Sequence, residues 1–208
     1  MQTVNLSCSG CGAPVDPGAK RCEYCRRAIV LSGSSEILNT PEPLLRDLMR
    51  QYEQGNVAER VAAGAAGGAV APQRVDFSIG LCCLKLKLYD KAAEKFDAAI
   101  DDTPGSADVY FYGAIARLGG RKAFLSPMPV IRKVMEYLEA ARSLEDKGLY
   151  SFFMGYVKYD FFARKFLKIS PDYKAEVARA LQIGVTQNEA DMLFSLLNVE
   201  FPEKLLEL

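Results

Sequence analysis

The chain has 208 residues, half of them hydrophobic, so it can bury a core beside one small module. Its 26 basic and 26 acidic residues balance, and no overall field would draw it to nucleic acid or anionic lipid. The absence of histidine excludes Ser-His-Asp and Cys-His catalysis and mixed Cys/His metal sites. Because no phosphate-cradling glycine loop occurs either, we predict a protein that is not an enzyme.

Four cysteines near the N-terminus form two Cys-x-x-Cys pairs with ten residues between the pairs: Cys8, Cys11, Cys22 and Cys25. Each pair turns two sulfurs toward one point, and four thiolates complete the tetrahedron that zinc prefers. Positions 7–27 are rich in turn-forming residues and have few apolar ones. A bound metal, rather than a hydrophobic core, would therefore have to stabilise the fold of this segment. Disulfides, which need an oxidising compartment, and redox thiols, which usually lie beside a βαβ pattern, are the alternatives. The spacing predicts one structural zinc ion.

The stretch from Cys8 to Cys25 also resembles the short zinc ribbons found at the ends of many bacterial and archaeal proteins. It departs from them at Arg21, where they often have an aromatic residue, and at Arg26, where they often have glycine. Neither position is a ligand. The resemblance covers about the first thirty residues and predicts a ribbon domain over residues 1–33. It implies a fold and not a function, because such ribbons contact DNA, RNA and protein alike.

Residues 34–73 are predicted to contain a first helix and a linker. Thr40 is a suitable N-cap with Pro41 at the first position, and the helix should end near Gly55. Its apolar stripe comprises Leu44, Leu45, Leu48 and Met49. The small residues of 62–72 fit either a linker or a close-packed Gly/Ala helix, and the sequence leaves 56–72 open between helix and flexible linker.

The remaining residues, 74–208, carry an internal repeat. The order aromatic, any residue, apolar, glycine occurs at Phe77–Gly80, Tyr110–Gly113 and Phe152–Gly155. A glycine inside a helix costs about 1 kcal/mol relative to alanine. Its recurrence therefore predicts that a neighbouring helix packs closely at each of these positions.

Residues 73–106 resemble the tetratricopeptide repeat, a helix pair of about 34 residues. The helix-two signature of this copy is Ala92, Phe96, Ala99 and Pro104, and a second, degenerate copy has Val134, Leu138 and Ala141. The resemblance implies a mainly α fold. A short N-terminal zinc ribbon with four cysteine ligands would precede a tetratricopeptide-like stack of two to three helix pairs. Some bacterial proteins join the same two modules. Ser170-Pro171 should start a later helix that Gly184 stops, and Thr186 to Glu189 is a capping box.

Within the first copy, Cys82 and Cys83 lie in the middle of a helix, and at least one of them should belong to the core. A reactive pair is the alternative.

Stacked helix pairs form concave surfaces that bind peptides or domains, so we predict an adaptor that holds one protein partner on its helices and another on its ribbon. The alternative is a nucleic-acid-reading ribbon tethered to a protein-binding stack. Its support is a basic cluster: Lys20, Arg21, Arg26 and Arg27. A zinc ion with four thiolates carries −2, and Asp16 and Glu23 add −2, so these four residues only bring positions 1–30 to zero. The adaptor is favoured.

Eight of the 21 aromatic residues lie between positions 149 and 169. In tetratricopeptide-like stacks the first helix of each pair lines the concave side. By this resemblance a partner would meet Tyr110, Arg117, Tyr156 and Tyr159. The alternative is that these aromatic residues all belong to the core.

The N-terminus lacks a basic residue followed by an apolar run, so no signal peptide is expected. The longest weakly apolar stretch, residues 61–72, is too short to cross a bilayer. With cysteines that match a metal site, these features predict a cytoplasmic protein without a membrane span.

Overall fold

The computed structural model describes residues 6–7, 14–15, 24, 34–53, 72–102 and 104–206. The described residues are mainly helical, which confirms the predicted class. The chain divides into two compact units, Met1–Leu86 and Lys87–Leu208. The four cysteines of the predicted ribbon and residues 54–71 lie outside the described residues, so the ribbon and most of the linker stay predictions. The domain boundaries after residues 33 and 73 also stay predictions.

In the described part of the first unit there are a short strand pair and three helices. Strands β1 (Leu6–Ser7) and β2 (Pro14–Val15) are antiparallel, with Leu6 opposite Val15. The helices are α1 (Ser34–Asn39), α2 (Glu42–Glu53) and α3 (Pro72–Lys85), and α3 packs on both of the others.

Helix α2 begins one residue after the predicted start. From its predicted stripe, Leu45 and Met49 are buried while Leu44 and Leu48 are half-buried. The short helix α1 was not expected from the sequence. It is kept in place by Ile37, which is buried, and by the carbonyl oxygen of Leu38, which accepts a hydrogen bond from Lys85 Nζ on α3.

Both mid-helix cysteines of α3 are buried, which confirms their assignment to the core. Cys83 Sγ lies 3.9 Å from Met49 Sδ on α2. Burial, with the neighbouring Cys83, raises the pKa of the Cys82 thiol to about 12, which disfavours the thiolate at neutral pH.

The second unit is a succession of helices. Its α-helices are α4 (Tyr89–Asp102), α5 (Ala107–Leu118), α6 (Met128–Leu144), α7 (Gly148–Val157), α8 (Tyr173–Ile183) and α9 (Gln187–Leu197). A 3-10 turn (Ala123–Leu125) precedes α6, a π-helical turn (Lys158–Phe162) and a 3-10 turn (Ala163–Lys165) follow α7, and a last 3-10 turn is formed by Glu203–Leu206. Helices α4 to α8 pack each on the next, and α9 packs against α5 and α7.

This succession agrees with a helical stack. The first predicted repeat divides between the units, since α3 belongs to the first and α4 to the second. The tetratricopeptide assignment therefore stays a prediction. None of the helices in the described part of the chain is both long and apolar enough to span a membrane.

Two of the repeated glycines lie where helices approach closely, as predicted. A Cβ atom at Gly113 of α5 would lie 3.3 Å from the Tyr137 ring of α6. At Gly155 of α7 it would lie 2.8 Å from Val177 Cγ2 of α8. Each glycine thus allows the contact within a packed helix pair.

The capping signals fix the ends of the last two helices. Thr186 and Glu189 form the predicted capping box of α9, and α8 ends at the predicted Gly184. Helix α8 begins at Tyr173, later than Ser170-Pro171, because the Asp172 side chain accepts a hydrogen bond from the Ala175 amide at 2.9 Å and acts as the N-cap.

Candidate protein-binding surface

Two of the four predicted partner-binding residues meet around one tyrosine of α6. The Tyr110 ring lies edge-on to the Tyr137 ring with 5.8 Å between centroids, and the Arg117 guanidinium lies 5.7 Å from the same centroid. Lys133 Nζ lies 4.9 Å from it. Asp97 of α4 completes the group. We call Asp97, Tyr110, Arg117, Lys133 and Tyr137 the Tyr137 cluster.

Asp97 organises this cluster from the neighbouring helix. Its Oδ1 accepts a hydrogen bond from Tyr137 Oη at 2.8 Å, and its Oδ2 forms an ion pair with Arg117. Burial opposes the charged form of Arg117, but the hydrogen bond and charge of Asp97 outweigh it and raise the pKa of the guanidinium. Burial and the hydrogen bond to Asp97 raise the pKa of Tyr137 to about 12. At neutral pH the cluster therefore holds a charged guanidinium at Arg117 and a neutral phenol at Tyr137.

The Tyr137 cluster is partly open to solvent. The side chains of Arg117 and Asp97 are 32% and 40% exposed, Tyr110 is half-buried, and Tyr137 is buried. Arg117 Nε makes no hydrogen bond within the described residues. The result is a surface of tyrosine and arginine side chains that are already held in position. These side chains would therefore lose less conformational entropy when a partner binds.

Tyr156 lies in a different environment. It is 1% exposed, because Phe194 of α9 packs edge-on against its ring at 5.1 Å and Phe153 stacks on it at 6.4 Å. The core alternative therefore describes Tyr156, and it does not line an open groove on the described residues. A sequence pattern could place Tyr156 on an apolar face of α7 but could not show that α9 would cover that face.

Tyr159 is also separate from the Tyr137 cluster. Its ring meets Tyr173 of α8 at 5.1 Å and is half-buried. The structure thus brings Tyr110 and Arg117 together and places Tyr156 and Tyr159 elsewhere. Asp97 and Tyr137 were not among the residues that the sequence pattern predicted. Tyr137 directly precedes Leu138 of the second helix-two signature, which could have drawn attention to it.

The buried charges of the second unit are used in ion pairs. Lys158 and Glu176, 2% and 3% exposed, are joined at 2.6 Å, and Arg142 binds the other oxygen of Glu176 at 2.9 Å. Asp160, the other buried acid of the described residues, forms an ion pair with Arg164. Its carboxyl group also accepts a hydrogen bond from the Phe124 amide at 2.8 Å. These contacts connect the π-helical turn to α6, α8 and the 3-10 turn before α6, and each buried charged side chain has an oppositely charged partner.

A small cavity of about 100 Å³ lies beside Tyr156. Its lining includes Lys122, Asp160, Arg164 and Phe201. Tyr156 Oη makes no hydrogen bond of standard geometry within the described residues, and burial together with the Asp160 charge raises its pKa. A cavity of this size and polarity can hold a few water molecules.

Comparisons of the chain with protein-family models, with curated proteins and with solved structures give no match. Among the described residues, no group of three or more His, Cys, Asp or Glu side chains could hold a metal ion.

Proposed function

We propose that this protein is a non-catalytic cytoplasmic adaptor. Its helical second unit binds a protein partner through the Tyr137 cluster, and a zinc ribbon at its N-terminus offers a second contact site. The observation that carries the proposal is the position of Tyr110 and Arg117, half-buried and already oriented by Tyr137 and Asp97. Tyrosine and arginine in such settings are the residues that most often dominate binding energy at protein interfaces.

One zinc ion bound by Cys8, Cys11, Cys22 and Cys25 is part of this proposal. The donor set suits zinc, and four thiolates would close the tetrahedron and leave no open position for catalysis. The strand pair supports the site indirectly. Leu6–Ser7 and Pro14–Val15, which flank Cys8 and Cys11 in the sequence, pair as antiparallel strands.

Site-specific cross-linking tests the adaptor role. A photo-reactive phenylalanine analogue replaces Tyr110 in the full chain, expressed in its native cells, and a matched variant carries it at Glu139, an exposed position of α6. We expect a protein that cross-links from position 110 and not from position 139. Arg117→Lys keeps the charge but loses the planar fork, and it should weaken that cross-link.

The same protein set captured from both positions would contradict the proposal, as would a cross-link that Arg117→Lys leaves unchanged. The nucleic-acid alternative predicts instead that the chain is retained on heparin and single-stranded nucleic acid, with retention falling as salt rises.

A further inference from the structure

The turn after the π-helix holds a bulky residue in an unusual backbone conformation. Phe166 has φ of 56°, in the left-handed region where glycine is usual. Its amide donates to the Ala163 carbonyl at 3.0 Å, and the Leu167 amide donates to the Phe162 carbonyl at 2.8 Å. This pair of bonds ends a helix with a Schellman motif, and Phe166 occupies its glycine position.

The end of α9 provides an internal comparison. Asn198 has the same φ of 56°, and the amides of Asn198 and Val199 donate to Ser195 and Phe194 in the same pattern. Asparagine tolerates this conformation because its short polar side chain bonds locally, whereas phenylalanine is strained there. The strain at Phe166 therefore needs a separate reason.

Packing does not supply that reason, since Phe166 is 95% exposed. Leu167 beside it is 45% exposed, and Leu125 in the 3-10 turn before α6 is 67% exposed. The ring of Phe124, next to Leu125, lies 4.6 Å from the Arg164 guanidinium and 5.0 Å from Lys165 Nζ. Phe166 is thus a large apolar side chain presented to solvent at a strained position, with the exposed Leu167 next to it in the chain.

The residues around Phe166 are basic. Residues 161–171 include Arg164, Lys165 and Lys168 and contain no acidic residue. Arg164 forms an ion pair with Asp160, Lys165 Nζ lies 3.7 Å from the Phe161 ring centroid, and Lys168 is exposed. We call residues 164–168 the Phe166 turn. It combines a protruding aromatic residue with a positive charge on both sides.

We propose that the Phe166 turn docks on the surface of a membrane that contains anionic lipids. A bilayer interface accepts a single protruding apolar side chain without a complementary pocket, while basic neighbours meet the lipid phosphates and carboxylates. A nucleic-acid base can stack on Phe166, but the exposed Leu167 beside it has no ring for a second base, so nucleic acid fits less well. A protein partner would need a broad complementary surface around Phe166. This role is independent of the Tyr137 cluster.

The chain contains no tryptophan, so Phe166→Trp creates a single fluorescent reporter at the tip. The full-length variant is mixed with phosphatidylcholine vesicles, with and without phosphatidylserine. We expect a blue shift and higher intensity only with phosphatidylserine, reversed by salt. A matched variant, Leu181→Trp, reports from a half-exposed position on α8 and should show no shift.

Vesicle sedimentation of variants without tryptophan, together with their Tm values, distinguishes a loss of vesicle binding from a loss of folding. Phe166→Asn should bind phosphatidylserine vesicles at least about tenfold more weakly, with an equal or higher Tm because asparagine relieves the strain. Lys168→Gln should weaken binding about fivefold, as expected for one basic residue near an anionic surface.

Three results would overturn the proposal. The first is that the unaltered chain fails to bind phosphatidylserine vesicles, and the second is that Phe166→Asn binds them as tightly as the unaltered chain. The third is a Tm several degrees lower in Phe166→Asn, which would assign Phe166 to packing. Loss of nucleic-acid or protein binding in Phe166→Asn, without any vesicle binding by the unaltered chain, would reassign the turn to that partner.

Discussion

Single residues decide two features, the metal site that the sequence predicts and the ionisation of the Tyr137 cluster. The predicted zinc site depends on four thiolates that each fill one coordination position. The Tyr137 cluster depends on Asp97, which both neutralises Arg117 and accepts the phenol hydrogen of Tyr137. A substitution that changes a single side-chain atom should therefore alter zinc content at the predicted metal site and stability at the Tyr137 cluster.

Changing Cys22 to serine should abolish zinc binding. Protein purified without added metal should contain about one zinc per chain, and the variant far less, because three thiolates and a hydroxyl hold zinc much more weakly. Elemental analysis measures this, with Cys82→Ser as the control outside the predicted ribbon. Equal zinc content in the native chain and the Cys22 variant would refute the site.

Changing Tyr137 to phenylalanine should lower the free energy of unfolding by about 1 kcal/mol at neutral pH, because the hydrogen bond to Asp97 is lost. The folded-state pKa of Tyr137 is raised to about 12 from an ordinary value of 10. The phenol therefore stabilises the native chain fully below pH 10, and this contribution disappears as pH rises to about 12.

Urea unfolding of the native chain and Tyr137→Phe at several pH values tests this. The stability difference should shrink between pH 10 and 12. Other tyrosines with raised pKa values, such as Tyr89 and Tyr150, affect both proteins equally and cancel. A difference that stays constant over this range would show that the Tyr137 phenol is not protected by burial and Asp97.

At the scale of elements, α9 determines which surfaces are available. Phe194 of α9 contacts Phe152, Tyr156 and Phe201, so the last helix and the tail that follows it cover the aromatic face of α7. The face of α7 around Tyr156, one of the four predicted partner-binding residues, is therefore occupied by the chain itself. Helix α9 is then either part of the core or a removable occupant, that is, a helix that can detach from this face of α7 without unfolding the rest of the unit.

Changing Phe194 to alanine distinguishes these two roles of α9. Phe194 is 5% exposed, and we expect a loss of about 3–5 kcal/mol of stability, as for buried phenylalanines in general. Thermal melting measures the loss, and Leu181→Ala, at a 50% exposed position, is the matched control with a small effect. An almost unchanged Tm with new binding of a hydrophobic dye would instead make α9 a removable occupant.

At the scale of the whole molecule, the two units should fold separately. The unit Lys87–Leu208 buries its own aromatic core, including Phe96, Phe111 and Phe153. A chain of residues 87–208 should therefore melt cooperatively by circular dichroism. A broad transition without cooperativity would mean that the second unit needs the first.

Removal of the predicted ribbon should likewise leave the helical residues folded, because its stability would come from its own metal. The shortened chain should begin at Ser34, the first residue of α1, since α1 packs on α3 and buries Ile37. Its melting curve should match the helical transition of the full chain. A large drop in Tm would show that residues 1–33 contribute to the helical core.

Sequence alone determined the features that depend on near neighbours along the chain. The mainly helical class, the burial of Leu45 and Met49 on α2 and the capping box of α9 follow from residues within one or two turns of each other. The close contacts at Gly113 and Gly155 follow from the recurrence of glycine inside helices. The zinc ligands come from the same kind of local pattern, and they stay a prediction.

Tertiary structure alone decided which distant groups meet. Asp97 and Arg117 are 20 residues apart and belong to different helices, so only the packing of α4 on α5 pairs them. The burial of Tyr156 depends on the packing of α9 against it. The exposure of Phe166 likewise depends on the tertiary position of its turn, because no distant part of the described chain covers its ring. Periodicity shows which face of a helix is apolar, but the covering partner of that face is fixed by long-range packing, because many side chains of similar shape could fill the same space.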